Sequence, residues 1–404
     1  MIVLRLRSMS ISSKKTLEDR QSTLLAGHSL DVLKRLPSGS INCCITSPPY
    51  WGLRDYQTDA QIWGGTPKCK HIWQDSVFPA ANGNKTSGMR GQTANQYSAT
   101  RSKRIYAFCV RCRAWRGNLG LEPTTAMYVE HLVAIFREVR RVLKPDGTLW
   151  LVLGDCYAGS WGQRAAIVED GSNRLKPKDL VGIPWQVAFA LRADGWYLRT
   201  DIVWHKPNPM PENVKDRPTR AHESIFLLAK QRHYFYDHKA IAEPLASSSI
   251  IRLTQPSFDR QSGGPKDYAV AMAGTPSPKS ARRMIVNLKG RTMPSGWVPA
   301  QSGGDATPSS YRRNKRSVWT IPTRPYGGPH FATFPPELVR PCMRAGCPIG
   351  GTVLDPFAGA GTTGLVARQE GRKFIGIELN DDYVALARKR INDKKEAVAS
   401  ATAR

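Results

Sequence analysis

Apolar residues in this sequence fall either into short continuous runs, typical of buried strands, or into stripes spaced three and four residues apart, typical of amphipathic helices. The runs predict strands at 22–27, 41–46, 148–154, 197–204, 223–230, 234–236, 352–355 and 373–378. The stripes predict helices at 30–36, 128–143, 180–193, 362–370 and 382–391, with another helix beginning at 334. Because strands and helices alternate, the pattern predicts an α/β fold with a mostly parallel sheet in three layers.

This alternation is interrupted twice. Residues 57–120 are rich in Gly, Asn, Thr and Ser and are predicted to form an insertion. Residues 239–318 show almost no sustained periodicity and contain 13 Lys and Arg against 4 acidic residues. The second interruption is therefore a basic, irregular region.

The composition favours a polyanionic partner. The 404 residues include 59 Lys and Arg against 32 Asp and Glu, a formal net charge of +27. The sequence contains no run of 18 apolar residues, so no membrane span is predicted. The eight cysteines, without a secretory signal, indicate reduced thiols and a bacterial or phage-infected cytoplasm. Residues 1–21 are expected to be a disordered basic leader, with a transit peptide as the alternative.

Two motifs at opposite ends of the sequence carry the candidate chemistry. Residues 46–51, Thr-Ser-Pro-Pro-Tyr-Trp, end an apolar strand in a rigid diproline turn. Residues 355–363, Asp-Pro-Phe-Ala-Gly-Ala-Gly-Thr-Thr, lead from a strand into a helix, as loops that bring backbone N–H groups to a nucleotide-like ligand do. Since such sheets bind ligands at the carboxyl ends of their strands, both motifs are expected at one edge.

Together the two motifs resemble those of the S-adenosylmethionine-dependent DNA amino-methyltransferases, which methylate N4 of cytosine or N6 of adenine. The proline motif precedes the glycine loop, which is the order of that family's beta group. The resemblance covers residues 22–56 and 123–392. It implies a circularly permuted, Rossmann-like methyltransferase sheet and a site-specific enzyme that forms no covalent intermediate with its substrate.

The resemblance also implies where the cofactor lies. Glu378, 17 residues after Gly361, takes the position of the acid that binds the ribose. The segment 330–335 matches the family's His-x-x-x-Phe-Pro. The family's Gly-Asp after the first strand, whose acid lies near the adenine, is replaced here by Gly27-His28. The residues implied to bind S-adenosylmethionine are Phe331, Phe334, Pro335, Asp355, Phe357, Gly359, Gly361, Thr362 and Glu378.

The proline motif suits transfer of a methyl group to an amine. An exocyclic amine is a poor nucleophile because its lone pair is delocalised into the base. The Ser47 hydroxyl and the Pro48 carbonyl, held outward by Pro49, can accept hydrogen bonds from that amine, and Tyr50 can stack on a flipped base. In the family that the motifs resemble, serine at the first position is mostly seen with N4-cytosine, so the resemblance favours cytosine. The alternatives are N6-adenine and, more distantly, an RNA or small-molecule methyltransferase or a non-catalytic DNA-binding protein.

Two further sets of residues are candidates for binding. Cys69, His71, Cys109 and Cys112 in the insertion have the ligand types of a structural Zn²⁺ site, against an interpretation as free thiols. Double-stranded DNA is the expected partner, with a cognate restriction endonuclease as a further candidate. The residues expected to contact DNA are Trp51, Arg54, Arg282, Arg283, Arg312 and Arg313, the last four in a target-recognition region that could also be a disordered linker.

Carbon-5 cytosine methyltransferases use a Pro-Cys nucleophile followed by Glu-Asn-Val. Both occur here, at 341–342 and 212–214, but in reversed order, so we interpret them as coincidental. The expected organisation has seven parts: a leader at 1–21, the start of the methyltransferase domain at 22–56, the insertion at 57–120, the continued domain at 121–238, target recognition at 239–318, the cofactor-binding half at 319–392 and a tail at 393–404.

Overall fold

The computed structural model describes residues 3–5, 21–53, 56, 58–78, 104–158, 175–246, 248, 297–299, 311–324 and 334–393. The chain divides into two compact units. The first comprises Met1–Phe235 with Ser317–Arg404, and the second comprises Tyr236–Arg316. Within the described residues, no helix is both long and apolar enough to cross a bilayer.

The first unit is built on a nine-stranded sheet. Its strands are β1 (Val3–Arg5), β2 (Ser22–Ala26), β3 (Ile41–Thr46), β8 (Leu143–Leu153), β9 (Tyr197–His205), β10 (His222–Ala229), β14 (Val318–Thr320), β15 (Thr352–Asp355) and β16 (Lys373–Glu378). Their spatial order is β1-β2-β16-β15-β3-β8-β10-β9-β14. Among these strands only β10 is antiparallel to its neighbours. The predicted mostly parallel sheet is confirmed.

Six helices accompany the described part of the sheet. They are α1 (Ser29–Arg35), α2 (Thr125–Val142), α3 (Ile183–Ala193), α4 (Pro336–Gly346), α5 (Thr362–Gln369) and α6 (Asp381–Asn392). The first three contact one another in sequence, and so do the last three. Side chains alternate across β3: Cys44 packs into the core that contains Leu132, whereas Cys43 lies against Gly346 of α4. The two helix groups therefore cover opposite faces of the sheet.

The insertion forms a sheet of its own, which the sequence pattern did not predict. Its strands are β4 (Gln61–Trp63), β5 (Trp73–Phe78), β6 (Arg104–Cys109) and β7 (Trp115–Gly117), in the antiparallel order β4-β7-β6-β5. Two of these strands have only three residues, too few to show a period. The second unit likewise contains a small antiparallel sheet, formed by β11 (Glu243–Pro244), β12 (Trp297–Pro299) and β13 (Tyr311–Arg313).

Three local predictions differ from the structure. Residues 234–236 form no strand, and the Phe235 N–H instead bonds to the Asp146 carbonyl at 2.9 Å. Helix α3 begins at Ile183, not 180, because Gly182 adopts a left-handed conformation and Leu180 pairs with Tyr157. Within the predicted disordered leader, β1 pairs with the edge of β2, which offers unpaired backbone groups.

Candidate active site

The proline motif and the glycine loop meet at one edge of the sheet. Their strands β3 and β15 are parallel neighbours, so both motifs begin at adjacent carboxyl ends. The Thr46 hydroxyl donates a 2.6 Å hydrogen bond to Asp355, and the Ser29 hydroxyl donates one of 2.7 Å to the Pro356 carbonyl. These contacts join residues more than 300 positions apart in sequence. The convergence that the sequence predicts is therefore present.

Asp355 holds the glycine loop from beneath. Its carboxylate also accepts hydrogen bonds from the Thr363 hydroxyl at 2.7 Å and from the Phe357 N–H at 3.0 Å. Burial raises the pKa of Asp355 to about 6, although these hydrogen bonds lower it. Only 1% of the residue is exposed. Asp355 therefore organises the loop from inside the protein.

The loop itself depends on glycine. Gly359 and Gly361 have φ angles of +49° and +76°, and Gly361 caps α5 in a left-handed conformation. A Cβ on Gly361 would lie 2.9 Å from the Cβ of Ala387 in α6. The turn therefore packs without room for a side chain, and it leaves the first backbone N–H groups of α5 facing the edge of the sheet.

Glu378 ends β16 beside this turn. One carboxylate oxygen accepts a 2.8 Å hydrogen bond from the Gly359 N–H, and the other accepts one of 2.9 Å from the Asn380 N–H. Burial raises the pKa of Glu378, and these backbone hydrogen bonds lower it. The carboxylate thus shapes the glycine turn while it remains part of the wall of the cleft.

The proline turn is held from behind by α2 and by the segment that precedes it. The Tyr128 hydroxyl donates a 2.8 Å hydrogen bond to the Pro49 carbonyl, and the Gly52 N–H donates one of 2.7 Å to the Gly120 carbonyl. A Cβ on Gly120 would lie 3.0 Å from the Tyr50 carbonyl oxygen. The conformation of this turn is consequently set by contacts with its neighbours as well as by its prolines.

Trp51 does not fit the predicted DNA contact. Its side chain belongs to the core with 7% of the residue exposed, and its indole N–H donates to the Glu122 carbonyl at 3.1 Å. The ring lies in the same hydrophobic core as Leu132 and Phe136. This prediction is corrected: Trp51 packs the proline turn onto the protein.

A cleft of about 1150 Å³ opens between the two motifs. Its size accommodates a nucleotide-like cofactor together with a base. Of the predicted site residues, those that line it are Ser47, Pro48, Pro49, Tyr50, Phe334, Asp355, Phe357, Gly359, Thr362 and Glu378. Pro335 is buried as the N-cap residue of α4, and neither it nor Gly361 lines the cleft.

Comparison with known proteins agrees with this geometry. The sequence model described as DNA methylase, of the N6/N4 type, matches residues 41–389. The chain belongs to the N6/N4 DNA methylase family. It is similar to the Type II methyltransferase M.XycI of Xanthomonas campestris pv. cyanopsidis, at 39% identity over 390 residues that cover 94% of this chain and 90% of that protein. It is also similar to M.Cfr9I of Citrobacter freundii, at 38% identity over 386 residues that cover 93% and 89% of the two chains.

The methylase also resembles a solved structure in its fold. The PvuII DNA methyltransferase, described as cytosine-N4-specific, aligns with a TM-score of 0.51 at 17% identity, covering 93% of this chain and 88% of that one. At this identity the likeness concerns the fold alone. The resemblance inferred from the motifs, and with it the predicted fold class, is confirmed.

The sequence did not single out several residues that line the cleft of the methylase. His28 follows β2, and its ring meets Trp63 of the insertion edge-on, with centroids 4.6 Å apart. Burial lowers the pKa of His28, and its Nε2 atom is buried without a hydrogen-bond partner among the described residues. A glycine followed by histidine at a strand end was visible in the sequence, but only as a departure from the family motif.

Charged side chains also line the cleft. Lys206, Arg217, Arg220 and Glu223 line it, on and between the ends of β9 and β10. Arg217 lies over the Tyr157 ring at 3.7 Å, and Glu223 contacts both Tyr50 and Lys206. The only sequence signal for Glu223 was an acid at the start of an apolar run.

The four predicted metal ligands lie together in the insertion of the methylase. Their ligand atoms are within 4.8 Å of one another. The Sγ atoms of Cys69 and Cys109 are 3.8 Å apart, and Cys112 Sγ lies 3.4 Å from His71 Nδ1. The turn after β6 brings Cys109 and Cys112 together, and the loop before β5 supplies the other two residues.

Of the remaining predicted site residues, the structure describes only Arg312 and Arg313. Arg312 donates to the Ala242 carbonyl at 3.1 Å, and Arg313 pairs with Glu243 at 3.1 Å, all within the second unit. Each arginine therefore has a partner inside its own unit. Phe331, Arg54, Arg282 and Arg283 lie outside the described residues.

Proposed function

We propose that this methylase transfers a methyl group from S-adenosylmethionine to the N4 amine of a cytosine flipped out of double-stranded DNA. The observation that carries the proposal is the shared cleft of about 1150 Å³ between the Ser47–Tyr50 turn and the glycine loop. A duplex base reaches such a cleft only when it leaves the stack, at a cost of a few kcal/mol that stacking on Tyr50 helps to offset.

The residues of the glycine loop fit S-adenosylmethionine. Because Gly361 has no side chain, the loop can pack closely against α6. The N-terminus of α5 then faces the cleft. Phe334, Phe357 and Glu378 would hold the cofactor, and the unpaired His28 Nε2 offers an acceptor to its adenine amine. When bound, the cofactor supplies an electrophilic methyl group on a sulfonium.

The proline turn would hold the amine. The Ser47 oxygen and the Pro48 carbonyl accept hydrogen bonds from the two amine hydrogens and draw the lone pair toward the methyl group. Tyr128 and Gly120 contact the turn on its other side, so the two acceptors would already be in place before DNA binds. Preorganised acceptors of this kind lower the barrier because they need not reorganise during the reaction.

Cytosine is favoured over adenine by the serine at position 47. The solved structure with a similar fold is described as cytosine-N4-specific, but the likeness at 17% identity concerns the fold alone. N6-adenine methylation is the second candidate, since the same two acceptors could hold an adenine amine. The proposed site of action is the cytoplasm, on DNA that a cognate restriction endonuclease would otherwise cut.

Expression in a methylation-free bacterial host followed by genome sequencing tests the function. We expect N4-methylcytosine within one recurring sequence motif, and no modification from Ser47→Ala. N6-methyladenine would establish the second candidate. An unmodified genome, with folded protein present, would refute both. Challenge of this DNA with endonucleases that cut at the motif would then test the proposed protection.

We also propose that Cys69, His71, Cys109 and Cys112 hold one structural Zn²⁺. Two close pairs of soft and borderline ligands, contributed by two loops, fit tetrahedral zinc. Four protein ligands leave no position for substrate, and the sulfonium needs no Lewis acid, so the metal would stabilise the insertion sheet.

Elemental analysis of purified protein tests the metal site. We expect about one zinc per chain in the wild type and a clear loss in Cys109→Ser. Cys342→Ser is the matched control, because that thiol is buried in α4 and donates to the Leu338 carbonyl, away from the four ligands. It should keep both its zinc and its methylation rate. Wild-type protein without zinc would refute the site, and loss of methylation in Cys342→Ser would revive a thiolate mechanism.

A further inference from the structure

The segment between β9 and β10 forms a loop at the active edge of the sheet. Strand β10 is antiparallel to both β8 and β9, so β9 runs parallel to β8 and β3 and ends at the same edge as the proline turn. The loop runs from Lys206 to Ala221, and the Lys206 N–H donates a 2.7 Å hydrogen bond to the Ala221 carbonyl. Its two ends are therefore joined at the edge where the cleft opens.

Polar contacts hold this loop near its start and again further along. Asn208 donates from its side-chain amide to the Thr323 carbonyl at 3.0 Å and accepts from the Thr323 N–H at 2.9 Å, which attaches the loop to the segment after β14. The Glu212 carboxylate accepts hydrogen bonds from the Arg217 side chain at 2.7 Å and from the Arg220 N–H at 3.2 Å. The conformation of the loop is thus fixed by its own residues and by the neighbouring segment.

Between these two sets of contacts, one apolar side chain is exposed beside the cleft. Met210 lies between Pro209 and Pro211, whose rings restrict the backbone, and 83% of the methionine is exposed. It lines the same cleft as Ser47 and Tyr50. A fixed loop therefore holds an apolar side chain in water beside the residues that would receive the base.

We propose that Met210 fills the space in the duplex that the flipped base leaves. This inference rests on the proposed methylation of a flipped base. When a base enters the cleft, the rest of the duplex must lie over the cleft opening, where Met210 is exposed. Methionine is unbranched and polarizable, so it can enter a base step as apolar wedges do in proteins that unstack DNA. Residues 206–221 also contain four Lys and Arg against two acids, which suits a loop beside phosphates.

The free energy at stake is the cost of unpairing and unstacking the target base. This cost is a few kcal/mol for a paired base and is smaller for a mismatched one. A side chain that replaces the lost stacking lowers the cost of the flipped state. Met210 should therefore matter for a paired target and much less for a mispaired one, whereas a residue that only docks the duplex would matter equally for both.

Met210→Ala tests this role on DNA that carries the recurring motif found by genome sequencing. We expect single-turnover methylation of the matched duplex to slow about tenfold, equal to about 1.4 kcal/mol. On a duplex whose target base is mispaired, the loss should be less than about twofold. The Kd for S-adenosylmethionine, measured by calorimetry, should not change. Met210→Leu, which keeps an apolar side chain of similar volume, should retain most of the wild-type rate.

Ile349→Ala is the matched control. Ile349 is 82% exposed and follows a proline, but it precedes β15 at the end of the sheet away from the cleft. It should keep the wild-type rate on both duplexes, and both alanine variants should unfold at the wild-type temperature because the replaced side chains are exposed. A wild-type rate for Met210→Ala on the matched duplex, or equal losses on the two duplexes, would overturn the inference. A wild type that methylates neither duplex would instead refute the proposed function.

Discussion

Asp355 shows how one residue can serve the site without touching its substrate. Its two oxygens accept hydrogen bonds from Thr46 at the end of β3 and from Thr363 in α5, so it links both motifs. The resemblance to the amino-methyltransferases implied this acid as a cofactor contact. Thr46 and Asp355 are 309 positions apart in sequence, so their hydrogen bond could not be predicted from the sequence. The role of Asp355 in linking the two motifs is visible only in the structure.

The raised pKa of Asp355 predicts a pH dependence of stability. An acid whose pKa rises on folding from 3.8 to about 6 binds protons more tightly in the folded state. Its contribution is therefore fully present below pH 3.8 and is lost as the pH rises through 6. The loss amounts to roughly 3 kcal/mol.

Urea unfolding of the wild type and Asp355→Asn between pH 4 and 7 measures this effect. Relative to the variant, the wild type should lose free energy of unfolding as the pH rises toward 6. Subtracting the two curves removes the contribution of the large positive net charge, which both proteins share. Parallel curves would show that Asp355 titrates in the folded state as it does in the unfolded chain.

At the scale of elements, length and burial decided what the sequence could predict. Strands with continuous apolar runs, such as β3 and β16, were predicted to the residue or nearly so. The three-residue strands β4 and β7 were missed because a period needs more residues to show itself. The direction of β10 was also hidden, since an apolar run reads the same way in parallel and antiparallel strands.

The start of α5 gives a prediction about element packing. In Gly361→Ala, the new Cβ would meet Ala387 of α6 at 2.9 Å in a backbone conformation that alanine avoids. We expect a loss of about 1–3 kcal/mol in stability, and at least tenfold weaker binding of S-adenosylmethionine by calorimetry. Cofactor binding should weaken because relief of the clash must displace the glycine loop or the start of α5.

Gly350→Ala is the matched control for this prediction. Gly350 has a similar φ angle of +73°, but a Cβ there would meet nothing within 4 Å. It also precedes β15, at the end of the sheet away from the cleft. This variant should therefore lose some stability through backbone strain and bind the cofactor normally. Equal losses of cofactor affinity in both variants would contradict the packing argument.

At the scale of the whole molecule, the net charge of +27 bears on how DNA is bound. Charge distributed over a surface attracts phosphates without reading sequence, and the affinity it provides falls steeply with salt. The sequence predicted this property from composition alone. The composition could not predict which cations have partners inside the protein. In the structure, Arg312 contacts the Ala242 carbonyl and Arg313 pairs with Glu243, both within their own unit.

Salt dependence therefore separates cations that bind phosphate from those that only add charge. If Arg312 contacts one phosphate, Arg312→Gln should lower the slope of log K against log salt by about 0.9 and weaken binding to every DNA sequence alike. Arg192→Gln makes the same change of charge on the last turn of α3, at the edge of the sheet opposite the cleft, and should leave the slope unchanged. Equal slopes in the two variants would mean that Arg312 serves only its contact with Ala242. Titrations of duplex DNA at several salt concentrations, followed by fluorescence anisotropy, distinguish these outcomes.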